Sequence, residues 1–399
     1  FIANTASSEG RLFLSEADLT GNALSLGEAP SSNGEATIQQ GSTVILTGPT
    51  FLSRASSTAS LYVYDSTFET ESLFVADTSS LSVGTAYVAR AMFTVTNRFE
   101  IGRDGIGAMD VSSTTLTTRD ALFGILSGSS GSMALLASPW DITGSLRAGI
   151  LGSADVAVGD NGSVSITSAP GNVSVWVGED TQSVASVSVE AYGDSGANIT
   201  ANHHAIVGYT STNATLLVGG AATFSSGKAA SASGSSCIFG ALPGSFGQGI
   251  VEVSANLQGD GDTVVGFGGS GYLQLSNGGS LSCASLQVAR ETTATGEVRV
   301  VDYGSAFLSG GLYVGGSTNS DGGNTARVTV GDQATLNAAT EIVLYEGSVL
   351  DVTNFGTVFV SDTFYPDPVD QNTVTLWSNS ALRGVGTVVA LPWLEAMFP

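Results

Sequence analysis

Between Tyr272 and Leu350 apolar and polar residues alternate in short runs, and the same run returns three times. The first unit carries Leu273, Leu275, Leu281, Leu286 and Val288; the second Val298, Val300, Phe307, Leu312 and Val314; the third Val328, Val330, Leu336, Ile342 and Leu344. A period of two puts successive apolar side chains on one side of an extended chain, so each run predicts a strand. The runs are short and close on Gly, Asn or Asp, so one unit alone has nothing against which to bury its apolar side. Stacked units supply that layer. Corresponding landmarks recur after 25 residues, Ser280 to Ser305, and after 30, Leu312 to Ile342. The pattern predicts an all-β chain folded as a parallel β-solenoid, with coils about 4.8 Å apart.

The same alternation begins near Ala36 and returns strongly from Ala154 to Ser226, where Val158-Gly159, Val177-Gly178, Val207-Gly208 and Val218-Gly219 end successive runs. A glycine there can take the positive φ that turns one face of a coil into the next. Residues 1–35 have few alternating apolar pairs, among them Leu12 with Leu14, and predict an N-terminal cap. The solenoid proper is expected over 36–361. Residues 103–153 break the alternation, and Thr118 to Leu126 offers two turns of helix capped by Thr118, against which Gly124 argues; this zone is expected to be an irregular insertion. The Ser-, Gly- and Ala-rich stretch 225–249 predicts a loop thrown out from a coil. Residues 362–399 are expected to hold a final coil and a C-terminal cap or tail, ending in the apolar run Leu391 to Pro399.

Charge narrows the partners. The chain has 35 acidic and 12 basic residues, a formal net charge of -23, and one lysine, Lys228. Phosphate backbones are held by clustered Lys and Arg, so nucleic acid is excluded as a partner. The acids are scattered, as on a solvated, self-repelling surface. No run approaches the 18 or more apolar residues of a membrane span. The sequence starts at Phe1 with no signal-like segment, consistent with a leader already removed or a longer precursor.

Candidate chemistry is sparse. The closest carboxylates, Asp260 and Asp262, flank Gly261 in a turn with no His or Lys nearby; they suit a solvated turn or, at most, a calcium ion. His203 and His204 are adjacent and would point to opposite faces of a strand, which argues against a joint metal site. Cys237 and Cys283 are 46 residues apart, about two coils, and are expected to be free buried thiols, although an irregular coil could bring them together. Sequons at Asn161, Asn172, Asn198 and Asn213 fall within 53 residues and would mark one glycosylated flank in a secreting eukaryote. Tyr313 and Tyr345 are either ordinary strand-surface residues or a stacking strip for sugars. No catalytic residue and no cofactor is expected.

The repeated Gly-Ser-x-Leu and Val-x-Val-Gly elements, with Ser380 to Val388, resemble the repeats of autotransporter-type passenger domains and related secreted β-helical adhesins. The resemblance covers most of 36–390 and implies a right-handed parallel β-helix at a cell surface. Nothing after Val389 is long enough for the translocator barrel of that family. The functional expectation is a non-catalytic extracellular structural subunit that assembles with itself head to tail, through Phe1 and Ile2 at one end and Trp393, Leu394, Met397 and Phe398 at the other. The alternatives are an adhesin stalk that binds glycans or surface proteins through its loops, and a β-helical polysaccharide enzyme.

Overall fold

A computed structural model describes residues 1–169, 172–191, 195–227, 234–317, 320–322 and 325–360, with three further strands at Thr363–Pro366, Thr373–Leu376 and Ala381–Gly384. Every described element is a strand. A coil has three sides: a long strand on the first face, a shorter one on the second, and one of about three residues on the third. Ser270–Ser276, Ser280–Cys283 and Leu286–Val288 make one such coil. Thr295–Val300, Ser305–Leu308 and Leu312–Val314 make the next. The first face is a 15-stranded sheet in which each strand pairs, in parallel, with its counterpart one coil away. The landmarks read from the sequence are register partners: Ser280 pairs with Ser305 and Leu312 with Ile342. One antiparallel pair, Gly316–Ser317 with Ser320–Asp321, occupies part of the additional length of the 30-residue coil.

Alternate residues of all three faces point inward and form one continuous core from Leu24 to Val360. In-register stacking repeats chemistry along it, as where Leu273, Val298, Val328 and Leu350 lie one above another. The Phe68 and Phe93 rings stack at 4.9 Å, and Trp140 packs against Phe99 and Phe123 while its Nε1 donates to Thr118 Oγ1 at 3.0 Å. That bond matters because an indole N–H sealed in an apolar core without an acceptor is costly.

The corner from the third face back to the first is made as the Val177-Gly178 and Val207-Gly208 pairs predict, whereas Gly159 and Gly219, at the ends of first-face strands, do not take a positive φ. Gly102, Gly149, Gly208 and Gly266 have φ of 67°, 68°, 72° and 77°, and Ser53, Ala76 and Ala289 adopt the same left-handed conformation where glycine is missing. A second constraint sits against this corner. The second residue of each of the first thirteen first-face strands, from Gly10 to Ala326, is Gly or Ala, including Gly107, Gly131 and Ala154. A Cβ on Gly131 would lie 2.1 Å from the carbonyl oxygen of Ile101. The corner folds so closely over the strand that no larger side chain fits.

Three expectations are corrected. Residues 1–35 do not form a separate cap: Glu9–Ser15 already pairs in register with Asn33–Gln39, so the first coil starts there. Residues 103–153 are regular coils. The helix expected at 118–126 is replaced by the strand Thr115–Phe123, which crosses from the second to the third face and ends at Gly124, φ 58°. Its Leu116, Thr118, Ala121 and Phe123 point inward, and a helix would have torn them from the ladders on either side. Within 225–249, Ser235–Phe239 and Phe246–Glu252 are ladder strands; residues 228–233 lie outside the described set.

Candidate functional site

The first coil has one edge that the fold leaves open. Glu9–Ser15 and Asp18–Gly21 pair with the second coil on one side, and among the described residues no strand pairs with the other. Above the third face the opening is closed by Ile2, whose N–H donates to Ser25 O at 2.8 Å and whose carbonyl accepts from Gly27 N–H at 2.9 Å. Ile2 is therefore spent inside the chain, packed partly buried against the core with Leu12, Leu14 and Leu19. Those three leucines point into the core yet stay partly accessible because among the described residues no coil lies above them. Phe1 and Phe13 are 82 % and 64 % exposed. The result is an unpaired edge of backbone donors and acceptors beside the open end of an apolar core, a combination that natural sheets usually cover. Trp393, Leu394, Met397 and Phe398 lie outside the described residues.

The outward row of the third face forms a covered valley. The residues that follow each corner glycine bend back over it, so that Ile206, Ile238 and Val264 form a second apolar cluster with Trp176, Tyr209 and Phe267. Nearer the N-terminus the same row carries charge. Asp77 and Glu100, 3 % and 0 % exposed, are bracketed by Arg54, Arg98 and Arg103: Arg54 Nε lies 3.3 Å from Asp77, and Arg103 lies 3.0 Å from Asp77 and 3.6 Å from Glu100. Arg98 pairs with Glu100 directly. Arg54 also pairs with Glu28 at 2.7 Å and covers the Phe51 ring at 4.4 Å. Burial raises the Glu100 carboxyl above the ordinary carboxylate range, opposed by the attraction of Arg98 and Arg103. This network ties successive coils together, and no sequence motif announces it.

The residues singled out by sequence fall in separate places. Asp260 is exposed, whereas Asp262 accepts a hydrogen bond from Gln287 Nε2 at 2.7 Å. Among the described residues no group of three or more His, Cys, Asp or Glu could hold a metal ion. His203 and His204 lie in the bend between Asn198–Ala201 and Ala205–Val207, not on a strand. The imidazole of His204 is held below its usual pKa by burial and by its neighbour His203. Cys237 and Cys283 are both buried and free; one is on the third face and the other on the second, and burial pushes each thiol up to about 12. A thiol so far from ionisation is a poor nucleophile.

Tyr313 does not form an exposed strip with Tyr345. It is 5 % exposed, sunk in the third-face valley, and its hydroxyl donates to Glu341 Oε1 at 2.6 Å. The four sequon asparagines are all exposed but share no flank: Asn198 stands on the second face, Asn213 starts a first-face strand, and Asn161 and Asn172 lie in connections. A groove of about 470 Å³ on the first face passes Tyr272, Glu297 and Arg327. Its tyrosine hydroxyl donates to Gln274 at 2.6 Å and its arginine is tied to Asp351 at 2.9 Å, so these polar groups are already engaged. Compared with known proteins, the chain matches no family model, no curated protein and no solved structure.

Proposed function

We propose that the chain is a non-catalytic, extracellular structural protein whose solenoid joins other copies end to end into a filament, sheath or coat. The observation that supports this reading is the first edge, where strands that among the described residues are paired on one side only flank the half-covered Leu12, Leu14 and Leu19. A partner that adds one more parallel coil would satisfy the backbone groups and bury the leucines together. Contact between unlike ends of a solenoid propagates rather than closes. The resemblance of the repeats to secreted β-helical adhesins supports a cell-surface location, and the net charge of -23 keeps the long sides of such filaments apart.

The test is sedimentation with negative-stain microscopy of the protein and of the Leu12→Lys/Leu14→Lys variant, with circular dichroism to verify that the β content is unchanged. Filaments or concentration-dependent oligomers that disappear in the variant are expected. Discrete rods of one length for the unaltered protein at every concentration would overturn the proposal.

A further inference from the structure

The second face differs from the rest of the surface, and its chemistry points to a ligand. Two rows of side chains project from it, two residues apart on each strand and in register from coil to coil. From Ser163 to Thr357 the first row consists only of Ser, Thr and Asn. Over the same coils the second row, from Ser165 to Phe359, consists of Ser, Thr, Asn and Gln with two phenylalanines, Phe307 and Phe359. No charged residue interrupts either row across this span. The corresponding rows of the first face carry Asp155, Glu297, Arg299, Arg327 and Asp351. Ser165, Thr200, Gln258 and Ser282 are exposed, and Phe307 is 50 % exposed.

We propose that this face binds an ordered, neutral polysaccharide, the flat side of packed sugar chains. Parallel pairing repeats the polar groups about every 4.8 Å along the stack, and the pleat sets the two rows about 6.6 Å apart. Hydroxyls and amides both donate and accept, as sugar hydroxyls do, and an exposed phenyl ring offers the apolar face on which a pyranose stacks. A chain of net charge -23 repels anionic polymers, and an uncharged face lets a neutral one approach without stripping water from fixed charges. Each coil adds a weak contact, so affinity comes from many coils meeting many sugars at once. Short soluble oligosaccharides are correspondingly bound poorly. The sequon at Asn198 lies in the first row, and a glycan there would cover the face; the proposal requires Asn198 to be unmodified in the native protein.

The experiment is retention of the full chain on microcrystalline cellulose and on chitin, with and without Ser165→Asp, Thr200→Asp and Ser282→Asp combined. The control is the triple variant Ala157→Asp, Ser188→Asp and Thr215→Asp on the first face, with circular dichroism verifying both folds. Retention on at least one of the two solids is expected, reduced tenfold or more by the second-face substitutions and unchanged by the first-face set. Absence of retention on both solids, equal loss in the two variants, or a glycan on Asn198 in native material would overturn the proposal. So would slowed ice recrystallisation without polysaccharide retention, which would assign the face to a water lattice. None of these readouts depends on filament formation, so the two proposals fail separately.

Discussion

Residues 67–148 and 246–360 build the same three-sided coil from different materials. In the second region the core is almost wholly aliphatic, and each first corner is a discrete turn: Gly304 N–H donates to Val301 O at 2.8 Å across Asp302 and Tyr303, both left-handed at φ 48° and 63°. Asp332-Gln333 and Asn354-Phe355 repeat that geometry. In the first region the core holds Phe68, Phe93, Phe99, Phe123 and Trp140, the strands Met92–Ile101 and Thr115–Phe123 run across two faces, and the first corners at Arg90, Ser113 and Ala137 each carry a single left-handed residue. What both regions share is the other corner: a residue at positive φ closing on a row of Gly and Ala. The core accepts any apolar set of adequate volume, whereas the corner accepts only small residues.

If the shared corner governs the fold, the largest effect comes from filling it. Gly131→Val and Gly271→Val are each expected to cost more than about 3 kcal/mol in urea unfolding, because their side chains meet backbone atoms that cannot move aside. Tolerance of either substitution would show that the two regions close their corners differently. A smaller effect of opposite sign separates the first corners. Tyr303→Gly and Phe355→Gly are expected to raise stability by about 1 kcal/mol each, since an exposed side chain at the second left-handed position is strained; loss of stability would mean that the rings pack against neighbours.

The smallest effect belongs to the aromatic region. The folded pKa of Glu100 is raised, so its folded state favours the proton. Stability linked to this group is full below the unfolded value near 4.5 and is lost as pH rises through the folded pKa. Glu100→Gln is therefore expected to be neutral or stabilising by about 1 kcal/mol at pH 7, with no gain at pH 4. A loss at pH 7 in thermal melts would instead make the pairs with Arg98 and Arg103 the dominant influence.

The regular coils could be read from the sequence because alternation and the Val-Gly pairs reflect one physical demand each, burial and reversal. Residues 103–153 hid theirs. Leu122 faces outward yet is buried in the third-face valley, and Leu136 faces outward and is 49 % exposed, so apolar residues on both sides of a strand erased the period of two. The same valley explains Tyr313: outward on a three-residue side does not mean solvent-exposed. Leu12 and Leu14 alternated visibly, but only the pairing of Glu9–Ser15 with the next coil shows that they belong to a coil of the solenoid and not to a separate cap. The Asp77–Glu100 network had no readable signature: Arg98, Glu100 and Arg103 are close in sequence, but Asp77 and Arg54 lie one and two coils away and join them only through register.

Because the strands of each described coil pair only with those of the coils before and after it, the molecule is also a mechanical element. Tension between its ends has no long strand-to-strand shear to resist it and would peel coils away one at a time. A coil of about 25 residues releases roughly 85 Å of chain when it opens. A surface layer built from such units would yield under load in many small, repeatable extensions before anything tore.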